Sequence, residues 1–492
     1  RTRHPDRPAY ELPGLGRTGA RTHRRMGARQ RRERAGVPDG EGRAVAQGQV
    51  GRDVQSRGSL ARHPGRGPRR ARARHVARRQ RRPPPDGVDL DDDLRPLLHR
   101  PLHQPVPGAR ARRPHQHGHT SRGRAGLRPA DLAAGGGRHD PRHRRTRRAA
   151  SDGDRASMRA LVITGPHHAE IQEVPEPEPG PRDVLVDVRR AGICGTDTEF
   201  FTGEMAYVHS GHAEYPMRIG HEWMGVVSGV GAEVDPSWLG ARVTGDTMLG
   251  CGVCDRCTSG RQHVCERRLE VGIRGGKAGA LAERLVVPAT SIHRLPDAVD
   301  DAMGAMVEPG GNAFRAVEGA DLSAGDSCLV LGAGTIGLLC ALFARAAGAS
   351  VHVVGRSRRS VEFARTLGFE GVWTEDTLPR RGWDAVIEAS NAQHLPAKAL
   401  DLVEPGKRVV YIGLAGTPSV IDTRELALKD VTAVGVLSAS PGLRGTIAAY
   451  AAGAVDPRPL VADAVPLDAL PAILAGHRPD GAGPGPKFHV SL

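Results

Sequence analysis

Residues 1–157, almost a third of the 492-residue chain, lack six residue types altogether: isoleucine, phenylalanine, tryptophan, cysteine, asparagine and lysine. Leucine and valine together account for only 17 of these 157 residues. The segment holds 39 arginines against 15 acidic residues, a formal net charge of +24. A segment with so little apolar surface and so much charge cannot offset the entropy of folding, so residues 1–157 are predicted to be a disordered Arg-rich extension.

The composition of this extension has two competing interpretations. An Arg-rich segment would serve as a nucleic-acid-binding tail. Arginine without lysine, with abundant glycine, proline, alanine and histidine, is also typical of GC-rich DNA translated outside a genuine reading frame. We favour a translation artefact, because the chain opens on Arg1 rather than methionine and its amino-acid composition changes at Met158.

Long apolar runs are missing as well. No stretch of about 18 consecutive apolar residues occurs, so no membrane-spanning helix is predicted and a cytoplasmic protein is expected. Residues 158–492 hold 31 basic and 40 acidic residues, a net charge of −9. The overall formal charge of +15 therefore comes from the first third alone and does not indicate a nucleic-acid-binding domain.

From Met158 onward the sequence has the pattern of a folded protein. Segments such as MRALVITG and DVLVDVRRAGICG are rich in β-branched residues and predict strands. Between Leu322 and about Ser440, strand-like segments alternate with helical ones. This alternation predicts an α/β fold with a parallel, doubly wound sheet.

Four of the seven cysteines lie close together, at the spacing C-x2-C-x2-C-x7-C. Disulfides are disfavoured in so large a chain. A bacterial iron–sulfur run would have a shorter last gap followed by proline, whereas Glu266 follows here. Tetrahedral zinc needs four thiolates brought together by tight turns. One structural zinc ion is therefore predicted, held by Cys251, Cys254, Cys257 and Cys265.

A second set of metal-binding side chains is spread along the chain. Cys194 lies in GICGTD, His221 and Glu222 lie in IGHEWMGVVSGVG, and Glu308 lies in MVEPGG. One thiolate, one imidazole and one or two carboxylates suit an open zinc site, in which a water or substrate oxygen takes the last position. Singly each signal is weak, since a lone cysteine is usually a small apolar residue. Together with the four-cysteine cluster they predict a catalytic zinc site.

The stretch GAGTIG lies between a predicted strand and an apolar helix, and it contains Gly332, Gly334, Thr335, Ile336 and Gly337. In this context the GxGxxG pattern predicts a dinucleotide-binding turn. The glycines allow the tight turn and a close approach of the backbone to the pyrophosphate, which would rest on the N-terminus of the helix.

The following strand lacks the acidic residue that an NAD site places against the adenosine ribose. No carboxylate occurs from Ser350 through Val361, and Arg356 follows Gly355 near the expected position. Arginine suits a ribose 2′-phosphate, so the sequence favours NADP over NAD with Arg356 as a ligand. The alternative is that these arginines form a solvated turn. The same logic predicts that Gly355→Asp reverses the cofactor preference.

Taken together, the motifs resemble those of the zinc-dependent medium-chain alcohol dehydrogenases, over essentially all of residues 158–492. The GHE-x2-G-x5-G pattern that begins at Gly220 and the four-cysteine cluster match this family's zinc signature and structural zinc loop. The resemblance implies a GroES-like β-barrel catalytic domain over 158–312 and 446–492, and a Rossmann domain over 313–445. It also implies a homodimer or homotetramer.

The resemblance further implies roles for single residues. Cys194, His221 and Glu308 would bind the catalytic zinc, and Glu222 would be the adjacent carboxylate that enters or leaves the metal shell. Thr196 would relay the alcohol proton. The outer end of the proton path departs from the pattern of some relatives, which have a relay histidine where this chain has Glu199.

Hydride transfer between a secondary alcohol and NADP is the activity that the resemblance implies. A polyol, sugar or cyclitol is favoured, because Glu308 followed by Pro309 resembles the polyol, glucose and threonine dehydrogenase branch. The alternatives are an L-threonine or simple alcohol dehydrogenase using NAD, a zinc-free enone or quinone reductase, and a zinc-containing nucleic-acid-binding protein. The reductase would leave Cys194 and His221 without a use, and the nucleic-acid-binding protein would leave GAGTIG unexplained.

A chain that begins at Met158 is expected to keep the activity and thermal stability of the full chain, because residues 1–157 offer little apolar surface for packing. Turnover and melting temperature of the two chains, measured side by side, check this. A large fall in melting temperature on removal of 1–157 would show that the extension packs on the rest of the protein.

Overall fold

The computed structural model describes residues 156–492. The expectation of a disordered extension therefore concerns residues that lie, apart from Ala156 and Ser157, outside the described part of the chain. Within 156–492, no helix is long and apolar enough to cross a membrane.

Most strands and helices of the described residues belong to one of two groups. The elements are given first in chain order. The strands are β1 (Ser157–Gly165), β2 (His168–Pro175), β3 (Asp183–Gly192), β4 (Met217–Arg218), β5 (Glu222–Val230), β6 (Arg242–Gly245), β7 (Met248–Leu249), β8 (Leu269–Glu270), β9 (Arg284–Pro288), β10 (Ile292–Arg294), β11 (Ser327–Leu331), β12 (Ser350–Val354), β13 (Gly371–Trp373), β14 (Trp383–Glu388), β15 (Val403–Tyr411), β16 (Thr432–Gly435), β17 (Val461–Pro466) and β18 (Lys487–Ser491). The helices are α1 (Gly195–Thr202), α2 (Ala206–His209), α3 (Asp255–Thr258), α4 (Asp301–Ala305), α5 (Val307–Ala320), α6 (Thr335–Ala346), α7 (Arg358–Thr366), α8 (Leu395–Leu402), α9 (Thr423–Leu428), α10 (Leu443–Ala451) and α11 (Leu470–Leu474).

A largely antiparallel group contains the predicted zinc ligands. Its seven-stranded sheet has the order β10-β6-β5-β3-β18-β17, and β9 also pairs with β3. Strand β9 pairs with the first half of β3, from Asp183 to Asp187, and β18 pairs with its last three residues, from Arg190 to Gly192. The chain thus returns from its far end to complete the sheet beside the predicted site.

The other group is a six-stranded, all-parallel sheet with the order β13-β12-β11-β14-β15-β16. The order reverses between β11 and β14, which is where doubly wound sheets bind their ligands. Side chains of β11 alternate between two apolar cores: Cys328 and Val330 belong to one, Leu329 and Leu331 to the other. Burial on both faces explains the unbroken apolar run SCLVL, which is typical of a central parallel strand.

The predicted fold class is confirmed by this arrangement. The domain boundaries stay a prediction, and the boundary between 445 and 446 falls inside α10. Leu443 and Tyr450 of that helix are buried in the same core as α5 and α6, which also covers the parallel sheet.

Candidate catalytic and zinc-binding sites

Three of the four residues predicted to form the catalytic metal site lie together. The donor atoms of Cys194, His221 and Glu222 are all within 4.8 Å of one another. Cys194 follows β3, and Glu222 begins β5 directly opposite Gly192 in the antiparallel register. Two neighbouring strands therefore deliver a thiol, an imidazole and a carboxylate to one point, and this donor set suits zinc with an open position.

Glu308, the fourth predicted residue, lies outside that group of three. It is buried near the start of α5, and its Oε1 accepts hydrogen bonds from Thr247 Oγ1 at 3.3 Å and Asn312 Nδ2 at 3.2 Å. Burial raises the pKa of Glu308 to about 7, although the nearby His221 opposes the shift. Two donors thus hold its carboxyl group in this structure.

Asp197, which the sequence analysis does not assign to the site, lies directly behind His221. Its Oδ2 accepts a hydrogen bond from the Cys194 backbone N–H at 2.8 Å, and its Oδ1 lies 4.0 Å from His221 Nδ1. Both of these facing atoms are buried and have no hydrogen-bond partner within the described residues. A carboxylate behind a metal-binding imidazole orients the ring and increases its basicity. The signal was present, since an acid three residues after a helix N-cap commonly bonds back to the cap.

The charge around His221 favours a cation. Burial alone would lower the pKa of His221, but the thiol of Cys194 and the carboxyl groups of Asp197 and Glu308 outweigh it and raise the pKa well above its ordinary value. Several acidic groups around one buried imidazole produce the negative potential that a divalent metal ion neutralises.

Lys487 is the second residue that the sequence did not reveal. Its Nζ lies 2.6 Å from Glu222 Oε2 and 2.8 Å from Oε1, and it also donates to the Ile193 backbone carbonyl at 2.8 Å. The side chains of Lys487 and Glu222 are only 3% and 1% exposed. Burial would lower the pKa of Lys487, but the Glu222 carboxylate outweighs it and raises that pKa. No local pattern in KFHVS indicates a partner 265 residues away.

Thr196, the predicted proton relay, is the second residue of α1 and is half-buried. Its hydroxyl has no hydrogen-bond partner among residues 156–492, so it is free to contact a ligand. Glu199 lies one turn farther along α1 and is exposed. Residues three apart share a helix face, so Thr196 and Glu199 lie on the same side of α1.

The four-cysteine lobe has the geometry of a closed zinc site. Its four sulfur atoms lie within 4.8 Å of one another. The Cys254 sulfur lies 3.6 Å from that of Cys257 and 3.7 Å from that of Cys265, and Cys251 and Cys257 are 3.9 Å apart. Zinc–sulfur bonds of about 2.3 Å in a tetrahedron place the sulfurs roughly 3.8 Å apart, so the lobe fits the ion.

The thiols of the lobe differ in acidity: burial raises the pKa of Cys257 to about 11, whereas the pKa of Cys251 is lowered. Hydrogen bonds from the backbone N–H groups of Val253 and Cys254 lower the pKa of Cys251 to about 6. Arg267 also donates to its sulfur at 3.2 Å. A thiolate is the form that binds zinc, and this one is stabilised before any metal arrives.

The glycine turn has the structure that its sequence predicts. Gly332 follows β11 with a φ of +122°, and a side chain there would crowd the carbonyl of Ala389. A side chain at Gly337 would overlap the carbonyl oxygen of Gly332. Gly334 is the N-cap of α6, and a Cβ there would have nothing within 4 Å. The middle glycine is therefore the one that leaves room for a ligand at the helix N-terminus, next to Thr335.

The end of β12 carries the predicted cofactor-selecting residue. Gly355 is buried and Arg356 is exposed, with no side-chain partner among residues 156–492. The next arginine, Arg358, is already paired with Glu362 at 2.7 Å. Of these two arginines, only Arg356 has a guanidinium without a bound acid.

Comparisons with known proteins agree with this geometry. Residues 180–297 match the family model described as the alcohol dehydrogenase GroES-like domain, and residues 335–452 match that described as zinc-binding dehydrogenase. The chain is 33% identical over 275 residues to the L-threonine 3-dehydrogenase of Anaeromyxobacter sp. strain K, covering 54% of this chain and 78% of that protein. The chain belongs to the zinc-dependent medium-chain alcohol dehydrogenases.

Two solved structures are similar to this dehydrogenase. One is a protein from Sinorhizobium meliloti 1021, assigned as a zinc-binding dehydrogenase and bound to NADP, with a TM-score of 0.62 and 27% identity over 68% of this chain and 100% of that one. The other, from Escherichia coli CFT073, is called a short chain alcohol dehydrogenase and is complexed with NADH. Its TM-score is 0.63 and its sequence identity 25%, and the match covers 68% of this chain and 99% of that one. The dehydrogenase is thus a zinc- and nicotinamide-dependent oxidoreductase acting on an alcohol, and the predicted family, GroES-like domain and enzyme class are confirmed.

The two predicted zinc sites of the dehydrogenase are expected to respond differently to substitution. Cys254→Ser should lower the melting temperature, because a closed zinc site contributes folding free energy. Cys194→Ser should abolish turnover while the melting temperature stays near that of the wild type. Turnover and thermal unfolding of both variants check this. Loss of turnover with unchanged stability in Cys254→Ser would mean that the two assignments are exchanged.

Removal of Lys487 should destabilise the dehydrogenase strongly. Lys487→Met leaves the Glu222 carboxylate buried without its partner, which costs about 3–5 kcal/mol of unfolding free energy. The double variant with Glu222→Gln should recover much of this loss, because no uncompensated charge remains.

Lys398→Met is the matched control for Lys487→Met. Lys398 lies 2.6 Å from Glu375, but these side chains are 30% and 39% exposed. Its loss should cost less than about 1 kcal/mol. Urea unfolding measures all of these values in the background of Cys194→Ser/His221→Ala, where no catalytic zinc can neutralise Glu222, and equal losses in Lys487→Met and Lys398→Met would refute the burial argument.

Proposed function

We propose that the chain transfers hydride between a secondary alcohol and NADP at the point where Cys194, His221 and Glu222 meet. This meeting of three donors is the observation that carries the proposal. Zinc held there would lower the pKa of an alcohol hydroxyl, and the nicotinamide would accept the hydride from its carbon. Glu308 completes the donor set if its carboxyl group exchanges Thr247 and Asn312 for the metal.

The remaining side chains hold and move protons. Asp197 keeps the imidazole of His221 in one orientation through its facing Oδ1 atom. Thr196 accepts the proton of the alcohol and passes it along α1 towards Glu199 and solvent. Lys487 donates to both oxygens of the Glu222 carboxylate and compensates its buried charge.

The substrate proposed is a polyol, sugar or cyclitol, on the ground of Glu308 and Pro309. L-threonine is the second candidate, since the curated relative with 33% identity is an L-threonine 3-dehydrogenase. An oxidation panel of polyols, sugars, cyclitols, L-threonine and simple secondary alcohols, each with NADP and NAD, distinguishes the two. Turnover of L-threonine at least tenfold above every polyol would replace the first candidate by the second.

NADP is proposed as the cofactor because the end of β12 offers a cation and no carboxylate. Arg356 is free to form a charge-assisted pair with a 2′-phosphate, and nothing from 350 through 361 repels that charge. Substitution of the neighbouring glycine has a steric cost of its own. A Cβ at Gly355 would lie 2.9 Å from Val361 Cγ2 and 3.0 Å from Ser360 Oγ, so Gly355→Asp would disturb the start of α7 as well as the charge.

Arg356→Ala is therefore the cleaner variant. It should lower kcat/KM for NADP by about 10- to 100-fold, the effect of one charge-assisted hydrogen bond, and leave the value for NAD nearly unchanged. Arg358→Ala is the matched control, because it removes the same charge from a guanidinium that already pairs with Glu362. A wild-type preference for NAD of tenfold or more would refute this assignment.

A homodimer or homotetramer is also proposed. Strand β16 forms one edge of the parallel sheet, and three large apolar side chains of the segment that connects β15 to β16 are exposed: Leu414, Val420 and Leu428, at 77%, 83% and 73%. Unpaired edge strands with apolar surroundings are usually covered by a partner. Light scattering of the purified chain measures the state, and a monomer at micromolar concentration would contradict it.

A further inference from the structure

A cavity of about 310 Å³ lies beside the three-stranded sheet of β2, β1 and β4. Three cationic side chains line it, Arg218, Arg274 and Lys277, against one lining acid, the exposed Glu214. None of the proposed zinc ligands and none of the glycine-turn residues lines it. The cavity is therefore a separate site with an excess of positive charge.

Two of these cations are partly buried and form no ion pair within the described residues. Arg218 and Lys277 make no side-chain hydrogen bond or ion pair with any residue from 156 to 492. Burial lowers the pKa of Arg218. Burial also lowers the pKa of Lys277; the charge of Asp183 opposes this shift, and the charge of Arg218 adds to it. Two cations that repel each other in a half-buried cavity are unfavourable without an anion.

The third cation is partly engaged elsewhere. Arg274 Nη1 lies 3.9 Å from Glu270 Oε1, and the same carboxylate oxygen accepts a hydrogen bond from Arg268 Nε at 2.8 Å. The guanidinium of Arg274 also lies over the Tyr207 ring, 5.5 Å from its centroid. Arg274 thus adds positive charge to the wall, while Arg218 and Lys277 have their donors free.

The backbone holds the two free cations in place. Arg218 ends β4, where it pairs with Val162 of β1, and its carbonyl accepts from Gly279 N–H at 2.9 Å. The loop that carries Lys277 is closed by a hydrogen bond from Gly272 N–H to the Lys277 carbonyl at 2.9 Å. Gly272 has a φ of +66°, and a Cβ there would lie 2.5 Å from the carbonyl oxygen of Gly220. Packed backbone therefore fixes the positions from which the two side chains extend.

We propose that this cavity binds the phosphate group of a small molecule. An Arg fork and a Lys point charge, reinforced by Arg274, match a dianion with several acceptor oxygens. The volume exceeds that of one phosphate group, and apolar side chains such as Val174 and Ile273 form another part of the wall. A phosphate ester with a small organic body fits this combination of charge and apolar surface.

Calorimetric titration of the zinc-loaded full chain, without cofactor or alcohol, tests the site. The probes are inorganic phosphate and glycerol 3-phosphate, with chloride at matched ionic strength as the blank. Arg218→Gln and Lys277→Gln should each weaken binding at least about tenfold, the effect of losing one charge-assisted bond. Arg189→Gln, which removes an exposed arginine of β3, should leave binding unchanged.

Two outcomes of the titration would overturn the proposal. The first is phosphate binding that is lost in Arg356→Ala but kept in Arg218→Gln, which would place the anion at the proposed cofactor site. The second is failure of both probes to bind the wild type. Tighter binding of glycerol 3-phosphate than of phosphate would identify an ester as the ligand, and equal affinity would identify free phosphate.

Stability without any phosphate gives an independent measurement. Replacement of either cation by glutamine removes an unpaired, repelled charge, so the melting temperature should stay the same or rise. Phosphate should raise the melting temperature of the wild type and not that of the double variant Arg218→Gln/Lys277→Gln. A clear fall in the melting temperature of phosphate-free Arg218→Gln would show that the guanidinium has a structural role instead.

Discussion

The buried ion pair between Glu222 and Lys487 is the contact on which the arrangement of the catalytic site depends. Glu222 begins the strand that follows His221, and Lys487 begins the last strand of the chain. Lys487 also bonds to the carbonyl of Ile193, the residue just before Cys194. Gly192 must be glycine here, because a side chain would overlap the Glu222 carboxylate. One ammonium group therefore ties together the ends of three strands, and the thiol and imidazole are held at the point where those ends meet.

Local patterns in the sequence were sufficient for the parts of the protein whose chemistry is local. The four cysteines lie within 15 residues, and their spacing alone predicts the cluster that the structure shows. The glycine turn is likewise predictable from local sequence, because GAGTIG directly follows a strand and leads into a helix. Lys487 could not be predicted in this way, because its partner is distant in sequence and the pairing depends on β18 joining β3. Asp197 was predictable in principle from its position after the helix cap.

Burial and packing explain where sequence reasoning stopped short. The assignment of Glu308 to the zinc site with Cys194 and His221 stays a prediction, and no pattern in MVEPGG reveals that a hydroxyl and an amide donate to its carboxyl group. In the sequence, Gly355 is simply the position where an NAD site has a carboxylate. In the structure, a side chain at Gly355 would crowd α7. The cofactor preference therefore has to be tested at the exposed Arg356. In both cases the residue type was informative, and the space around it was not visible in the sequence.

Zinc content per chain tests the central claim most directly. The proposed arrangement requires two zinc ions that bind independently, one at Cys251, Cys254, Cys257 and Cys265 and one at Cys194 and His221. Native mass spectrometry of the wild type should show two zinc ions per chain, and the double variant Cys194→Ser/His221→Ala should show one. A wild type with a single zinc ion, or a double variant that loses both or keeps both, would contradict the claim.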